Sequence, residues 1–314
     1  MTEVTPRRAV NIGICTYRRS HIADTLRSIA EGNIPTDIDL TVIVADNDIK
    51  PTAQDLVTSL TLPFAVKYVH APAGNISIAR NACLSHATAE TLIFIDDDEL
   101  VSPYWLNEIL AEQARSGADV VLGPVEAIYP DDAPNWMKRG KFHNSSATFV
   151  KGEILTGYSC NALINLVSPA ATDLRFKLEL GRTGGEDTMF FTELHQRGGK
   201  ISYAPEALIT EAVAPDRASF AWLFKRKIRF GQTHGLVLIA RRGNGLAQRL
   251  KGIAASIAKI AYCGLRAVLS VFNTARSRYW LLRGALHIGV ISKLLGGQEA
   301  ETYGSQTAPE ETTA

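Results

Sequence analysis

The chain contains few cysteines, and their spacing argues against several kinds of site. Four cysteines are scattered over 314 residues, and none forms a C-x-x-C pair. This spacing is typical of reduced cytosolic thiols rather than of a disulfide framework or a zinc site. The N-terminus also lacks the apolar core of a secretory signal peptide, so we expect this part of the chain to stay in the cytoplasm.

Glycine is missing from the positions where two classes of nucleotide-binding enzyme need it. The first strand-like segment holds Gly13 alone and has no G-x-G-x-x-G fingerprint, which argues against a nicotinamide-binding oxidoreductase. The glycine-rich, basic first loop of a sugar-nucleotide pyrophosphorylase is missing as well. With 46% hydrophobic and 21% charged residues, the chain can bury a sizeable core, and its length allows one large domain or two.

Acidic residues are missing from one whole region of the chain. Residues 217–297 contain 15 Lys and Arg but no Asp or Glu, whereas residues 1–216 contain 18 Lys and Arg and 28 Asp and Glu. The overall net charge of +1 therefore conceals an acidic part followed by a basic part. This asymmetry predicts that the basic extension faces an anionic partner.

The basic region also carries apolar stripes at helical spacing, over residues 246–272 and again over residues 279–295. No uncharged run there reaches the roughly 18 residues that a membrane span requires. We predict that residues 236–297 form a basic amphipathic helical region on an anionic membrane surface. The alternative is a helical pair that packs on the domain with its basic face in solvent. Nucleic acid fits less well because apolar stripes accompany the charges.

The first hundred residues alternate between apolar strand-like runs and helical patterns, which predicts an α/β fold with a parallel sheet and helices on both faces. Three of the four runs end in polar or acidic side chains. Ligands of open α/β sheets gather at the carboxyl ends of the strands, so these endings predict a common site. The predicted strands cover residues 10–17, 40–44, 65–69 and 92–95.

The acidic run 96–99 (Asp-Asp-Asp-Glu) follows the fourth predicted strand directly. Four adjacent carboxylates repel one another unless a cation lies among them. Mg²⁺ or Mn²⁺ is the simplest candidate, because such ions prefer one or two carboxylates together with phosphate oxygens. The alternative is a solvated acidic turn after a buried strand.

A second acidic pair, Glu186 and Asp187, follows two glycines at the predicted start of a helix. The helix dipole favours acids at this position, so capping would explain the pair. The glycines allow close approach to the backbone, which capping does not require, and this favours a functional role. Farther upstream, Trp136 lies in the predicted loop 130–144 and is either a ligand platform or an aromatic plug that anchors the loop.

Together these segments resemble the inverting glycosyltransferases of family 2, which have the GT-A fold, and among them the glucosyltransferases of succinoglycan-type exopolysaccharide synthesis. The resemblance covers residues 8–235. It implies a Rossmann-like nucleotide-diphospho-sugar transferase domain with a helical, basic C-terminal extension over residues 236–297 and a disordered tail over residues 298–314. The matching segments are residues 14–19, 44–47, 74–81, 95–99 and 185–187.

The chain departs from the family pattern at two places. Cys15 replaces the usual proline or threonine of the first nucleotide-contacting turn. The charged run 226–231 is only loosely similar to the Gln-x-x-Arg-Trp motif of processive members. The second departure implies addition of one sugar per visit rather than polymerisation.

The resemblance implies a role for each matching residue. Asp187 corresponds to the general base, Asp96 and Asp98 to the ligands of Mg²⁺ or Mn²⁺, and Asp46 to the residue that accepts a hydrogen bond from the pyrimidine N–H. Expected contacts with the donor nucleotide come from Thr16, Tyr17, Arg18, Asp46, Asn47, Arg80, Asp96 and Asp97. Expected contacts with the acceptor or a diphosphate come from Trp136, Asn161, Glu186, Arg226 and Arg229.

The implied function is inverting transfer of a single sugar, glucose from UDP-glucose, to a hydroxyl of a growing lipid-linked glycan in exopolysaccharide or cell-surface polysaccharide synthesis. The expected partners are a UDP-sugar donor, a lipid-linked oligosaccharide acceptor and an anionic membrane surface, but no nucleic acid. The expected location is cytoplasmic, peripheral on the inner face of the cytoplasmic membrane. The alternatives are a nucleotidyltransferase similar to sugar-nucleotide pyrophosphorylases and a non-catalytic membrane-associated scaffold.

Overall fold

The computed structural model describes residues 7–298. Its strands are β1 (Arg8–Thr16), β2 (Ile38–Asp46), β3 (Ala65–His70), β4 (Thr91–Asp96), β5 (Glu99–Val101), β6 (Val120–Leu122), β7 (Val125–Ile128), β8 (Phe149–Val150), β9 (Glu153–Ile154), β10 (Ala162–Asn165), β11 (Ile201–Tyr203) and β12 (Ile209–Ala212). Its α-helices are α1 (Ile22–Glu31), α2 (Gln54–Ser59), α3 (Ile76–His86), α4 (Trp105–Ser116), α5 (Asn135–Gly140), α6 (Glu186–Gln196), α7 (Phe220–Arg242), α8 (Leu246–Leu269) and α9 (Thr274–Leu294). The predicted disordered tail, apart from Gln298, lies outside the described residues.

Seven strands form the central sheet, in the order β11-β6-β10-β4-β1-β2-β3. β1, β2, β3 and β4 are parallel, and β11 is parallel to β6. The α/β fold with a mainly parallel central sheet is thus confirmed. β10 runs antiparallel between β4 and β6, a direction that the sequence pattern does not predict. Two smaller sheets have the orders β5-β12-β7 and β8-β9.

The central strands are buried on both faces, which is why they appear in the sequence as continuous apolar runs. Along β4, Ile93 and Ile95 belong to one hydrophobic core, whereas Leu92 and Phe94 belong to another. The first core is completed by α1, α2 and α4 and the second by α3 and α6, because successive side chains of a strand point to opposite faces. This arrangement agrees with the predicted helices on both sides of the sheet.

Backbone contacts divide the chain into two compact units. The described part of the first unit comprises residues 7–125 and 146–210, and that of the second comprises residues 126–145 and 211–298. The predicted boundary at residue 235 falls inside α7, whereas the contacts divide the chain at residue 210. The predicted loop 130–144 contains α5 and lies within the second unit.

In the second unit, α7 and α9 cross at two glycines. A Cβ atom on Gly231 would collide with the carbonyl oxygen of Leu286, and one on Gly289 would collide with that of Ile228. The two glycine Cα atoms therefore lie in direct contact across the helices. This close crossing brings side chains from neighbouring turns of α7 and α9 against one another.

Two buried histidines of the second unit are held in their neutral form. His143 stacks on Trp222, and its Nε2 lies 3.2 Å from the backbone oxygen of Arg217, which can only accept a hydrogen bond. Nδ1 is therefore the acceptor toward the Tyr129 hydroxyl, at 3.2 Å. Burial and the nearby Arg226 charge lower the pKa of His143 to about 4. Burial and a nearby lysine charge likewise lower the pKa of His287 to about 4.

Because the pKa values of both histidines are lowered in the folded protein, we expect the protein to lose stability as the pH falls from about 6.5 to about 4. In that window the unfolded chain binds the protons, because its histidines keep a pKa of about 6.5, while the folded chain does not. Thermal unfolding followed by circular dichroism at pH 7 and pH 4.5 measures the loss. The double variant H143Q/H287Q should lose less between the two pH values than the wild type. Parallel losses would contradict the assignment of neutral histidines.

Candidate active site

The carboxyl ends of β1, β2 and β4 meet at one edge of the central sheet. In the parallel register Thr16 lies beside Asp46, and Cys15 lies beside Asp96. The turns that follow these strands are joined by side-chain hydrogen bonds, such as the one from the Thr16 hydroxyl to Asp97. Ligands of open α/β sheets bind at this kind of edge.

The middle aspartate of the acidic run points into the fold. Asp97 is 5% exposed, and its two oxygens accept hydrogen bonds from the Thr16 hydroxyl at 2.8 Å and from the Arg19 guanidinium at 3.0 Å. Burial raises the pKa of Asp97 to about 6, although the Arg19 charge opposes the rise. Asp97 therefore helps to hold the turns together, and its predicted contact with the donor stays a prediction. Thr16, itself buried, shares this role, because its hydroxyl donates to Asp97.

The neighbouring aspartates are more exposed. The side chains of Asp96 and Asp98 are 42% and 22% exposed. Asp98 pairs with Arg19, and Asp96 Oδ1 lies 3.6 Å from Arg80 Nη2. Glu99 turns back and accepts a hydrogen bond from the Asp96 backbone N–H at 2.7 Å. Glu99 thus supports the turn that presents the two carboxylates.

The carboxylates of Asp96 and Asp98 fit a hard divalent cation by their chemistry and their exposure. Among residues 7–298, no cluster of three or more His, Cys, Asp or Glu is arranged to hold a metal. A cation at this turn would therefore use the two carboxylates together with phosphate oxygens and water, as Mg²⁺ commonly does. The assignment of Asp96 and Asp98 as ligands stays a prediction.

Arg80 connects this turn to the start of α6. Its guanidinium is 6% exposed, forms an ion pair with Glu186 and lies over the Phe176 ring, with 5.6 Å between Cζ and the ring centroid. The same group faces Asp96 at 3.6 Å. Arg80 thus holds the acidic turn and the start of α6 together, and its predicted contact with the donor stays a prediction.

Two glycines determine how α6 begins. Gly184 and Gly185 have φ angles of 91° and 89°, in the left-handed region that glycine adopts without strain. The N-cap residue is Gly185, which has no side chain, and both acids lie in the first turn of α6, where the helix dipole favours them. Glu186 points inward, whereas Asp187 is partly exposed and its Oδ1 accepts a hydrogen bond from the Thr188 N–H at 2.6 Å.

Glu186 points inward, and its predicted contact with the acceptor stays a prediction. Glu186 is 2% exposed and is paired with Arg80. Burial raises its pKa to about 7, the Arg80 charge opposes this rise, and the Asp187 charge adds to it. Glu186 therefore anchors the start of α6 and leaves Asp187 as the acid of this pair that a substrate can reach.

Asp46 helps to hold the turn after β2, and its predicted contact with the pyrimidine N–H stays a prediction. It is fully buried, and its oxygens accept hydrogen bonds from the Asp48 N–H at 3.0 Å, the Ala53 N–H at 2.9 Å and the Tyr68 hydroxyl at 2.7 Å. Oδ1 accepts one of these bonds and Oδ2 the other two. The adjacent Asn47 is 4% exposed and accepts from the backbone of another loop, so it too supports the turn.

Tyr17 and Arg18 lie in the turn after β1 and are more accessible. Arg18 is exposed, its Nε lies 3.0 Å from Asp48 Oδ2, and its guanidinium lies over the Tyr17 ring at 5.1 Å. Sequence reasoning missed Asp48 and Arg19, although both are adjacent to residues that it assigned. The available signal was charge complementarity, since two arginines follow β1 and acids follow β2 and β4.

Asn161 lies in the interior of the first unit. It is fully buried, and its Oδ1 accepts a hydrogen bond from Trp105 Nε1 at 2.9 Å. Its Nδ2 donates to the backbone oxygens of Pro124 and Ala207, at 3.0 and 2.8 Å. This amide thus joins three parts of the fold, and its predicted contact with the acceptor stays a prediction.

The other predicted acceptor residues belong to the second unit. Trp136 packs against Phe142 and Phe220 in a small hydrophobic cluster, which supports its interpretation as an aromatic plug. Arg226 lies over the rings of Trp222 and Phe230, at 5.1 and 5.2 Å. The predicted diphosphate contacts of Arg226 and Arg229 stay predictions.

Comparison with known proteins identifies the family. The model of the family described as "Glycosyl transferase family 2" matches residues 11–169. The chain belongs to glycosyltransferase family 2. It is also 50% identical over 299 residues to the succinoglycan biosynthesis protein ExoM of Rhizobium meliloti (strain 1021), a match that covers 95% of this chain and 96% of that protein. The protein is therefore a glycosyltransferase.

Solved structures agree with the GT-A fold. The mannosyltransferase PcManGT from Pyrobaculum calidifontis, in complex with GDP-Man and Mn²⁺, matches with a TM-score of 0.59 at 19% identity over 93% of this chain and 88% of that one. S. aureus TarS 1-349 in complex with UDP matches with a TM-score of 0.51 at 17% identity over 95% and 99% of the two chains. At these identities the likeness concerns the fold alone.

Proposed function

We propose that this glycosyltransferase transfers one glucose from UDP-glucose, with inversion, to a hydroxyl of a lipid-linked glycan during succinoglycan-type exopolysaccharide synthesis. The 50% identity to a succinoglycan biosynthesis protein supports the biological role. A relative of known fold that binds UDP supports a uridine nucleotide donor. The observation that carries the mechanism is the geometry at the start of α6, where Glu186 is buried and Asp187 is accessible.

Asp187 acts as the general base. Its carboxylate takes the proton from the acceptor hydroxyl while that oxygen attacks the anomeric carbon and the bond to UDP breaks. One base and one direct displacement invert the anomeric centre, so an α-linked donor gives a β-linked product. Arg80 and Glu186 fix the start of α6 relative to the acidic turn, and this connection positions the base on the acceptor side of a donor held at that turn.

Asp96 and Asp98 are the residues that would hold Mg²⁺ or Mn²⁺. When bound, such an ion supplies Lewis-acid stabilisation of the charge that develops on the leaving diphosphate. Glu99 stabilises the turn by accepting a hydrogen bond from the Asp96 N–H. Arg19 balances part of the negative charge of Asp98. A relative of known fold that carries GDP-Man and Mn²⁺ supports a divalent metal here.

The long helices of the second unit, α7, α8 and α9, bind the enzyme to an anionic membrane surface. Within residues 7–298, α8 alone is long and apolar enough to cross a membrane by length and composition, and only 17% of its most apolar window is buried. Lys259 lies near the middle of this helix, where a spanning orientation would put a charge in the hydrocarbon core. We therefore infer that α8 lies in the plane of the membrane interface.

A donor screen tests the proposed reaction. Purified full-length protein is incubated with a lipid extract from exopolysaccharide-producing cells, Mn²⁺, and one of UDP-glucose, UDP-galactose, UDP-N-acetylglucosamine or GDP-mannose. We expect acceptor-dependent release of UDP from UDP-glucose, with less than about one tenth of that rate for the others. Formation of UTP from UDP-glucose and pyrophosphate would instead indicate a nucleotidyltransferase, and no turnover of any donor would indicate a scaffold.

A further inference from the structure

Arg19 places a positive charge directly against the acidic turn. It lies in the short segment between β1 and α1, and its Nη1 donates hydrogen bonds to Asp97 Oδ1, at 3.0 Å, and to Asp98 Oδ2. Two threonines tie the same segment to the acidic run. The Thr16 hydroxyl donates to Asp97 Oδ2 at 2.8 Å, and the Thr25 hydroxyl donates to the Asp97 backbone oxygen at 3.0 Å. Contacts on both sides of Arg19 in the chain therefore hold its guanidinium beside a proposed metal ligand.

Both partners of this ion pair keep hydrogen-bonding groups that the described chain does not use. A guanidinium has five N–H donors, and within residues 7–298 only those on Nη1 of Arg19 have a protein partner. The Arg19 side chain is 36% exposed, so a ligand can reach the remaining donors on Nε and Nη2. In the same part of the chain, Asp98 Oδ1 accepts no hydrogen bond. Arg19 and Asp98 can thus stay paired while each binds a further group.

A divalent ion on Asp98 would share this carboxylate with the Arg19 guanidinium. The two positive charges would repel each other, so Arg19 should weaken binding of the metal. A diphosphate carries enough negative charge to bind both cations, and a guanidinium matches phosphate oxygens with two parallel N–H donors. Arg19 should therefore strengthen nucleotide binding at the same turn where it opposes metal binding.

We propose that Arg19 is a second cation of the donor site, which binds the diphosphate through Nε and Nη2 while Nη1 stays paired with the acidic turn. The inference rests on the proposed function, because it takes Asp98 as a metal ligand. It goes further by giving Arg19 a direct contact with the donor, beyond balancing the charge of Asp98. It also predicts effects of opposite sign on the metal and on the nucleotide.

Binding titrations of the purified full-length proteins test these opposite effects without any turnover. R19Q should bind Mn²⁺ alone about tenfold more tightly than the wild type, as measured by electron paramagnetic resonance of the free ion. The same variant should bind UDP about tenfold more weakly in calorimetry. Its affinity for uridine, which has no phosphate, should stay within about twofold of the wild type in ligand-observed NMR. If Arg19 only stabilised the turn, its loss would loosen Asp98 and weaken binding of Mn²⁺ as well.

Two further variants separate the contact from a diffuse effect of charge. R18Q removes a positive charge from the adjacent residue, which forms its ion pair with Asp48, and should change the affinity for Mn²⁺ less than about twofold. R19K keeps the charge, so its affinity for Mn²⁺ should stay within about threefold of the wild type. A lysine lacks the planar pair of donors, so R19K should recover only part of the UDP binding. Circular dichroism melting shows whether each variant is folded.

Three results would overturn the proposal: no tighter binding of Mn²⁺ by R19Q, equal tightening in R18Q, or unchanged binding of UDP by R19Q. D98N distinguishes this failure from failure of the metal site. If D98N loses Mn²⁺ binding while R19Q matches the wild type, the metal site stands and only the role of Arg19 is rejected. Absence of Mn²⁺ binding by both the wild type and R19Q would reject the proposal together with the metal site.

Discussion

Replacement of Asp187 by Asn should lower the rate of glucose transfer by roughly 10³-fold or more, while the affinity for UDP stays within about twofold of the wild type. An amide of the same shape can still accept the hydrogen bond that Asp187 receives from the Thr188 N–H. The start of α6 should therefore keep its conformation, and the lost function is proton removal from the acceptor hydroxyl. Stopped-time assays of UDP release and calorimetric titration with UDP give the two quantities.

The control for this variant is E90Q, which neutralises an exposed acid of the same compact unit. Its rate should be unchanged. A second comparison uses E186Q, which weakens the ion pair with Arg80 and should lower both stability and rate. If D187N kept a rate within about tenfold of the wild type, Asp187 would not be the base, and the proposed mechanism would be wrong.

The second large effect concerns the acidic turn. Removal of divalent ions with EDTA should abolish transfer, and Mn²⁺ or Mg²⁺ should restore it. D98N should lower the rate by roughly 10²-fold and raise the metal concentration needed for half-maximal activity, because one of two carboxylate ligands is lost. Titration of the rate with MnCl₂ for both proteins measures this change.

D97N is the matched comparison within the same run, because Asp97 is buried and hydrogen-bonded to Thr16 and Arg19. It should lower the melting temperature and leave the metal concentration for half-maximal activity close to that of the wild type. D98N replaces a partly exposed side chain. It should keep the melting temperature close to that of the wild type and raise the metal concentration for half-maximal activity. Full activity of the wild type in EDTA, or an unchanged metal requirement in D98N, would contradict the assignment of the turn as a metal site.

The acidic run explains which features of the site could be predicted from the sequence. A buried strand followed by carboxylates predicts that polar groups lie at the edge of the sheet, since strands of a parallel sheet end together. The sequence pattern does not separate Asp97, which is buried, from Asp96 and Asp98, which are partly exposed. That separation depends on Thr16 and Arg19, which are about 80 residues away in the chain and come close only in the folded sheet.

Asp46 and Asn161 illustrate the same limit. Each belongs to a residue type that commonly binds ligands, and each has hydrogen-bond partners that only the tertiary structure supplies. Tyr68 and Ala53 donate to Oδ2 of Asp46, and Trp105 donates to the amide oxygen of Asn161. Buried polar groups need such partners, so a polar residue after a strand is as useful for holding a turn as for binding a substrate.

The glycine pair before α6 predicts a tight turn from the sequence alone. Gly184 and Gly185 both adopt left-handed backbone conformations that would strain other residues. Their presence pointed to a tightly turned segment, although only the structure distinguishes the buried Glu186 from the accessible Asp187. The ion pair that makes this distinction joins Glu186 to Arg80, which lies far upstream in the chain.

The most direct test of the proposed reaction is the anomeric configuration of the product made from UDP-α-glucose. The full-length enzyme is incubated with the donor, Mn²⁺ and the lipid acceptor fraction, and the released glycan is examined by proton NMR. A single base at Asp187 and direct displacement predict that the new glucosyl residue is β-linked. An α-linked product would contradict the account, because retention requires either two successive displacements or a different arrangement of the reacting groups.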